Sequence, residues 1–249
     1  MISVLLQGGL GNQLFQIATA YAHSLKVKDR FALFNNVHFL PLQGNHVNSY
    51  KDNLYRNIAF IEPKDMKVYN EQSFSYKDIL KEKNICLKGY FQSEKYFKDN
   101  REDLFKLFDI ENLRSRIAYN VESGTVSLHI RRGDYLKASD YHRNLPLSYY
   151  QEALTILKDN PVFVFSDDIE FCKKTFKGDR FTFVEGNKDY EDILLMSRCT
   201  HHIMANSSFS WWGAWLSSGK GTIIAPNPWF GPNGPKETQD LIPKDWLKL

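Results

Sequence analysis

The chain opens on a short apolar run, Ile2 to Leu6, interrupted by Gln7-Gly8-Gly9 and followed by Leu14, Ile17, Ala18, Tyr21, Ala22 and Leu25 at helical spacing. That change of period predicts a strand, a glycine turn and a helix. A second strand is expected over Phe31 to Phe34. From Val37 to Lys83 the pattern is irregular and rich in Asn, Tyr and Lys, which suits a variable region that sets substrate specificity. Regular patterning resumes with a strand over Ile85 to Phe91 and a helix over Glu94 to Phe108, capped by Ser93. The polar stretch Glu111 to Gly124 ends in Ser-Gly and marks a domain boundary, giving domains 1–122 and 123–249.

The second half alternates regularly. Strands are predicted over Thr125 to Ile130, Val162 to Phe165, Arg180 to Val184, His202 to Ala205 and Thr222 to Ala225. Between them helices are predicted over Leu147 to Lys158, with Pro146 at its start, Ile169 to Phe176, Tyr190 to Cys199 and Phe209 to Ser217. Short apolar strands alternating with helices indicate a parallel sheet covered on both faces. The strand ends carry Arg131/Arg132, Ser166/Asp167, Glu185/Asn187 and Asn206/Ser207, and this edge of a parallel sheet is where a nucleotide binds.

Candidate chemistry gathers at three places. Arg131 and Arg132 leave the end of an apolar strand with Gly133 and Asp134 behind them. Two adjacent guanidiniums suit a pyrophosphate, since each fork offers paired hydrogen bonds, while the plain reading is a surface Arg–Asp ion pair. In the stretch Gln7 to Gln16, Gly9 and Gly11 let backbone amides approach a phosphate at a helix N-terminus. A tight packing turn explains those glycines equally well, and G-G-L-G is not the dinucleotide fingerprint. The polar Asn12, Gln13 and Gln16 favour a site, with Asn12 and Gln16 as phosphate or substrate contacts. Asn206, Ser207 and Ser208 either cap a helix or add hydroxyls and amides for phosphate. The tryptophans Trp211, Trp212 and Trp215 read as packing residues rather than as a sugar platform. Ser166-Asp167-Asp168 invites a metal reading, yet adjacent aspartates on a strand point apart, as do His201 and His202, so no metal site is expected.

Six stretches together carry a family resemblance: GGLGNQLFQ (Gly8 to Gln16), GYFQSEKYF (Gly89 to Phe97), HIRRGDY (His129 to Tyr135), FSDD (Phe165 to Asp168), DILLMSRC (Asp192 to Cys199) and NSSFSWWGAWL (Asn206 to Leu216). In this order, spanning nearly the whole chain, they resemble the bacterial α-1,2-fucosyltransferases. HxRRxD is shared with the wider group of α-1,2, α-1,6 and protein O-fucosyltransferases, whereas NSSFSWWxAWL is much narrower. No motif position departs from the family pattern, although the chain is compact and its variable loops are short.

The resemblance implies an α/β, B-type glycosyltransferase fold, with two Rossmann-like domains and the active site in the cleft between them. GDP-L-fucose would occupy the domain 123–249, with Gly9 to Asn12 facing its phosphates across the cleft. The implied reaction is inverting transfer of L-fucose from GDP-β-L-fucose to the 2-hydroxyl of a terminal galactose, without metal or other cofactor. Arg131 and Arg132 would stabilise the leaving GDP, Asp134 would steer them or take the acceptor proton, and Asn12 completes the expected catalytic set. Donor contacts are expected from Gly9, Gly11, Asn12, His129, Arg131, Arg132, Ser166, Asp167, Asp192, Asn206, Ser207, Ser208 and Phe209. His129 lies near the nucleoside by resemblance, or is a core histidine. Asp192 either complements a helix dipole or accepts hydrogen bonds from guanine N1 and N2, a role held by an aspartate in a similar context in the wider HxRRxD family. Two rival readings remain: a metal-dependent A-type glycosyltransferase using Asp167 and Asp168, and a nucleotide-sugar-binding protein without turnover.

Composition narrows the setting. A net charge of +3 over 249 residues is too balanced to indicate nucleic acid, and the 43% hydrophobic residues never run long enough to span a bilayer. No signal peptide is evident at the N-terminus. The three cysteines are odd in number and widely spaced, as in reduced cytoplasmic proteins. The expected partners are GDP-fucose and a β-galactoside, free or lipid-linked. The expected location is the cytoplasm, or the inner face of a bacterial membrane as a peripheral protein.

Overall fold

The computed structural model describes residues 1–35, 45 and 47–249, with the side chain of Lys137 outside the description. Residues 36–44 and 46, the front of the stretch expected to carry specificity, therefore lie outside the described residues. Two compact units divide the chain: 1–115 with 237–243, and 116–236 with 244–249. The sequence reading placed the division at 122/123. The polar stretch that suggested it begins inside a short helix, Ile110–Arg114, whose Ile110 and Leu113 are buried in the first unit.

In the first unit, β1 (Ile2–Val4) leads through the glycine turn into α1 (Leu10–Val27), followed by β2 (Leu33–Phe34), β3 (Phe60–Ile61), β4 (Lys67–Asn70) and β5 (Ile85–Lys88). Strands pair in parallel in the order β1-β5-β4, with β2 and β3 as a separate pair. The buried face of α1 is wider than the apolar stripe and takes in Gln13, Gln16, Thr19 and His23, while Leu25, counted in that stripe, is 40% exposed. Phe31 makes only an isolated bridge to Ile2, so the expected second strand shortens to two residues.

The strand expected to reach Phe91 stops at Lys88, because the amides of Tyr90 and Phe91 turn away from any ladder to the carboxylate of Glu71. The helix expected over Glu94 to Phe108 is broken into two 3-10 turns, Glu94–Tyr96 and Lys98–Asn100, before α2 (Arg101–Leu107) and α3 (Ile110–Arg114). At the break Phe97 leaves helical geometry and is buried with its ring 5.9 Å from Phe15. Burial of that ring outweighs helix continuity. Ser93 caps the first turn as expected, accepting from Lys95 N at 3.3 Å.

The second unit holds β6 (Val126–Ile130), α4 (Leu147–Ile156), β7 (Val162–Ser166), α5 (Ile169–Thr175), β8 (Phe181–Phe183), α6 (Asp189–Met196), β9 (His201–Ile203), α7 (Ser208–Leu216), β10 (Ile223–Ala225) and β11 (Leu247–Lys248). The predicted elements are all present, with ends displaced by a few residues, and β11 is additional. All six strands are parallel, in the order β11-β10-β9-β6-β7-β8. Val126, Leu128 and Ile130 alternate onto one core while Phe163 and Phe165 of the neighbouring strand face another. This is the two-faced burial that makes parallel strands read as continuous apolar runs. Trp211, Trp212 and Trp215 are buried, and Trp246 joins them with its ring 5.5 Å from Trp211, so these indoles are core residues. No described helix is long and apolar enough to cross a membrane.

Candidate active site

The order of the six-stranded sheet reverses at β6: β7 and β8 extend to one side, β9, β10 and β11 to the other. The loops after β6 and β9 therefore diverge, leaving a crevice at their carboxyl ends, the position at which open α/β sheets bind ligands. The loop after β6 carries Arg131, Arg132 and Asp134. β7 ends in Ser166 and the loop after it carries Asp167 and Asp168, and the loop after β9 carries Asn206 and Ser207.

Both guanidiniums are held by their stems. Arg131 donates from Nε and Nη2 to Asp134 Oδ1 at 3.0 and 2.7 Å, and its Nε lies 3.2 Å from Asp167 Oδ2. Arg132 donates from Nε to Asp168 Oδ2 at 3.1 Å, and its plane lies 3.6 Å over the ring of Phe171. Its backbone N–H donates to Asp167 Oδ1 at 2.9 Å. Arg132 Nη1 and Nη2 make no hydrogen bond among the described residues. A Cβ at Gly133 would stand 2.5 Å from Asp167 Oδ2, so glycine there lets that carboxylate close under the turn. Three carboxylates surround the two guanidiniums. What this arrangement offers an anion is therefore the open N–H donors of Arg132 rather than a net positive charge.

This engagement bears on the metal reading. Asp167 is taken up by Arg131 and the Arg132 amide, and Asp168 by Arg132 and by Phe171 N, which it caps at 3.2 Å. Ser166 Oγ accepts from Asp168 N at 3.0 Å and fixes the same turn. Among the described residues no group of three or more His, Cys, Asp or Glu side chains could hold a metal ion.

At the start of α7, Ser207 Oγ accepts from Phe209 N at 3.3 Å, while Ser208 is the first residue of the helix. Asn206 is a strut: its Nδ2 donates to the carbonyls of Arg143 and Trp229 at 2.8 and 2.9 Å, and its own carbonyl accepts from Tyr135 Oη at 3.1 Å. Ser207→Ala is expected to lower unfolding stability by about 0.5–2 kcal/mol through loss of the cap, measurable by denaturant titration.

His129, at the end of β6, is buried with its ring 5.5 Å from Phe209. Burial, and then the charge of Arg131, pull its pKa down to about 3, so the imidazole is neutral at physiological pH. Its Nδ1 has no partner among the described residues. Asp192 stands in the first turn of α6, where burial pushes its carboxyl up to about 6 against a 3.0 Å hydrogen bond from Asn187 Nδ2. Its neighbours Asp189 and Glu191 raise it further. Asp192 is thus half-buried with an amide partner and two acidic neighbours, and its shifted carboxyl fits either a ligand contact or a place at the helix start.

In the first unit, Gly8 adopts φ +74, and a Cβ there would meet Asn12 Nδ2 at 2.4 Å. Gly9 precedes α1 without a side-chain cap, and Gly11 is buried in its first turn. Asn12 N and Gln13 N donate to Gly9 O at 3.0 and 3.1 Å, which leaves the Leu10 and Gly11 amides at the N-terminus of this 18-residue helix without a backbone partner among the described residues. Asn12 Oδ1 accepts from Gln92 Nε2 at 2.7 Å, while its Nδ2 has no partner among the described residues. Gln16 departs from the expected contact role: it is fully buried and clamps Gln7, accepting from its N–H at 3.0 Å and donating to its carbonyl at 3.1 Å. Gln13 is likewise internal, donating to Gly8 O at 3.3 Å. In the second unit Phe171 supports Arg132 without any signal in the sequence, whereas Asn187, which supports Asp192, stands among the polar residues expected at the strand ends. In the first unit Glu71 likewise carried no signal. Gln92 lies within a motif that was noted but given no role.

Three comparisons place this geometry among known proteins. The family model described as glycosyl transferase family 11 matches residues 57–249. The chain is 31% identical to the Escherichia coli O-antigen biosynthesis glycosyltransferase WbnK, covering 98% of this chain and 99% of that protein. It is 33% identical to an Escherichia coli alpha-1,2-colitosyltransferase, covering 98% of this chain and 97% of the relative. Among solved structures, fucosyltransferase NodZ from Bradyrhizobium superposes with a TM-score of 0.52 at 13% identity, over 87% of this chain and 92% of that one, a likeness of fold.

Proposed function

The chain belongs to glycosyl transferase family 11, and we propose that it transfers L-fucose from GDP-β-L-fucose to the 2-hydroxyl of a terminal galactose, with inversion and without a metal ion. The observation that carries this reading is the arginine pair at the sheet's switch point, anchored by Asp134, Asp167 and Asp168 with Arg132 Nη1 and Nη2 open. In the reaction the acceptor oxygen bonds to the anomeric carbon while its proton passes to Asp134 or to water, the bond to the phosphate oxygen breaks, and GDP departs with the electron pair. Positioned guanidiniums stabilise the charge that develops on it, as a metal ion does elsewhere. Asp134 steers Arg131, His129 and Asp192 receive the nucleoside, and the backbone at Ser207 and Ser208, beside Phe209, offers a further phosphate contact. In the first unit the Gly9–Asn12 turn offers an anion contact of its own, and Asn12 the NH₂ group expected to take part in the reaction.

The colitosyltransferase relative supports a second reading of the donor, since colitose is fucose without its 3-hydroxyl. The acceptor is a β-galactoside, free or as part of a lipid-linked glycan, the latter suited to a protein at the inner membrane face. The test is transfer from GDP-fucose and GDP-colitose to terminal β1,3- and β1,4-galactosides, with products resolved by mass spectrometry. Preference for GDP-fucose upholds the proposal, and transfer from GDP-colitose alone replaces it. Activity is expected to be undiminished in excess EDTA. A loss restored only by Mn²⁺ or Mg²⁺ would reject the two-arginine mechanism.

A further inference from the structure

Asn12, the residue of the first unit assigned to the reaction, sits at the end of a hydrogen-bonded chain that begins at Glu71. Glu71 follows β4 and accepts from Tyr90 N at 2.7 Å through one carboxylate oxygen and from Phe91 N at 2.8 Å through the other. Those bonds hold the loop after β5, in which Phe91 adopts φ +52, a conformation costly for a bulky residue unless its surroundings fix it. A Cβ at Gly89 would stand 2.3 Å from Glu71 Cβ, so the loop lies directly against the side chain. The next residue, Gln92, is buried and donates to Asn12 Oδ1 at 2.7 Å. With its oxygen so held, the Asn12 amide can present only its NH₂ group outward.

We infer that Glu71 is a positioning residue, setting the orientation of the Asn12 amide through the loop Gly89–Gln92 and the side chain of Gln92. The inference rests on the proposed role of Asn12 for its catalytic consequence and on the geometry alone for the relay. The relay has a built-in proton dependence. Burial pushes the Glu71 carboxyl up to about 7, against the two backbone bonds that favour its charged form. The titratable groups that respond to its charge are Tyr69 on β4, just before it, and Tyr96 in the turn beyond the loop. Above about pH 7 both oxygens accept and the loop is clamped. Below it one oxygen carries a proton and the clamp loosens.

The test is a double-mutant cycle of Glu71→Gln and Gln92→Leu, read in two ways. In steady-state transfer each single variant is expected to lower kcat roughly two- to tenfold, and the double variant to be no worse than Gln92→Leu alone. The wild-type pH profile should carry a rise near pH 7 that Glu71→Gln lacks. In ¹⁵N-resolved NMR spectra, the side-chain NH₂ pair of Asn12, assigned by its loss in Asn12→Asp, should titrate near pH 7 in the wild type and shift in both variants. A wild type that transfers no fucose defeats the proposed function while the resonances still decide the relay. Unshifted Asn12 resonances in Glu71→Gln, or fully additive losses in the cycle, overturn the relay itself.

Discussion

Arg131→Lys is expected to lower kcat at least about tenfold, with a smaller change in the KM for the donor, measured by steady-state transfer from GDP-fucose. Lysine keeps the charge and loses the planar fork. Arg131 uses that fork to reach Asp134 from two nitrogens, at 3.0 and 2.7 Å, and Asp167 at 3.2 Å. An ammonium has three donors but all on one nitrogen, so it cannot reproduce the spacing with which the fork meets both carboxylates and leaves Nη1 directed elsewhere. If the fork acts on charge that develops as GDP departs, the loss falls on kcat, because the interaction is stronger in the transition state than with bound donor. Arg132→Lys should lose turnover as well, since only a plane stacks 3.6 Å over Phe171 with both terminal nitrogens open. Melting temperature should change little in either variant, as partly exposed ion pairs contribute about 0–1 kcal/mol. Turnover near that of the wild type in both variants would make the pair structural.

Asp192→Asn is expected to weaken GDP binding about ten- to a hundredfold, the equivalent of losing a charge-assisted bond of about 1.5–3 kcal/mol. The same substitution should not destabilise the apo protein. Asp192 is raised from 3.8 to about 6 in the fold, so folding favours its protonated form. Its effect on stability is most favourable at pH below about 4 and turns unfavourable as pH rises through 6, and asparagine removes that penalty. Calorimetry of the wild type should also show proton release on GDP binding near pH 5, because guanine's N1 and N2 donors select the carboxylate. Unchanged GDP affinity in the folded variant would return Asp192 to a role at the helix start.

The second unit was legible because its central strands are buried, so that residues 126–130, 162–165 and 203–205 appear as wholly or mostly apolar runs, each ending at a polar residue. Arg131, Ser166 and Asn206 all lie where such a run stops. The first unit was less legible. Its strands are two to four residues long, and the helix expected through Phe97 gives way to burial of that ring. Polar residues in a turn carry an ambiguity that only geometry resolves: Asn12 keeps an open NH₂, while Gln16, four residues on, has its amide closed onto Gln7. Glu71 had no signal at all, since its role depends on amides about twenty residues away in sequence.

The return of Glu237–Pro243 to the first unit has a consequence for synthesis. Within that unit Asp240 accepts from Tyr76 N at 3.0 Å and pairs with Lys95, and Glu237 bonds Ser73. The final residues then return to the second unit, where β11 completes the sheet beside β10. Neither unit is a contiguous stretch of polypeptide, so neither can finish folding before residues 237–249 have left the ribosome. A nascent chain arrested at 236 would leave Asp240's partners uncovered in one unit and β10 as an unpaired sheet edge in the other, an edge open to pairing with other chains.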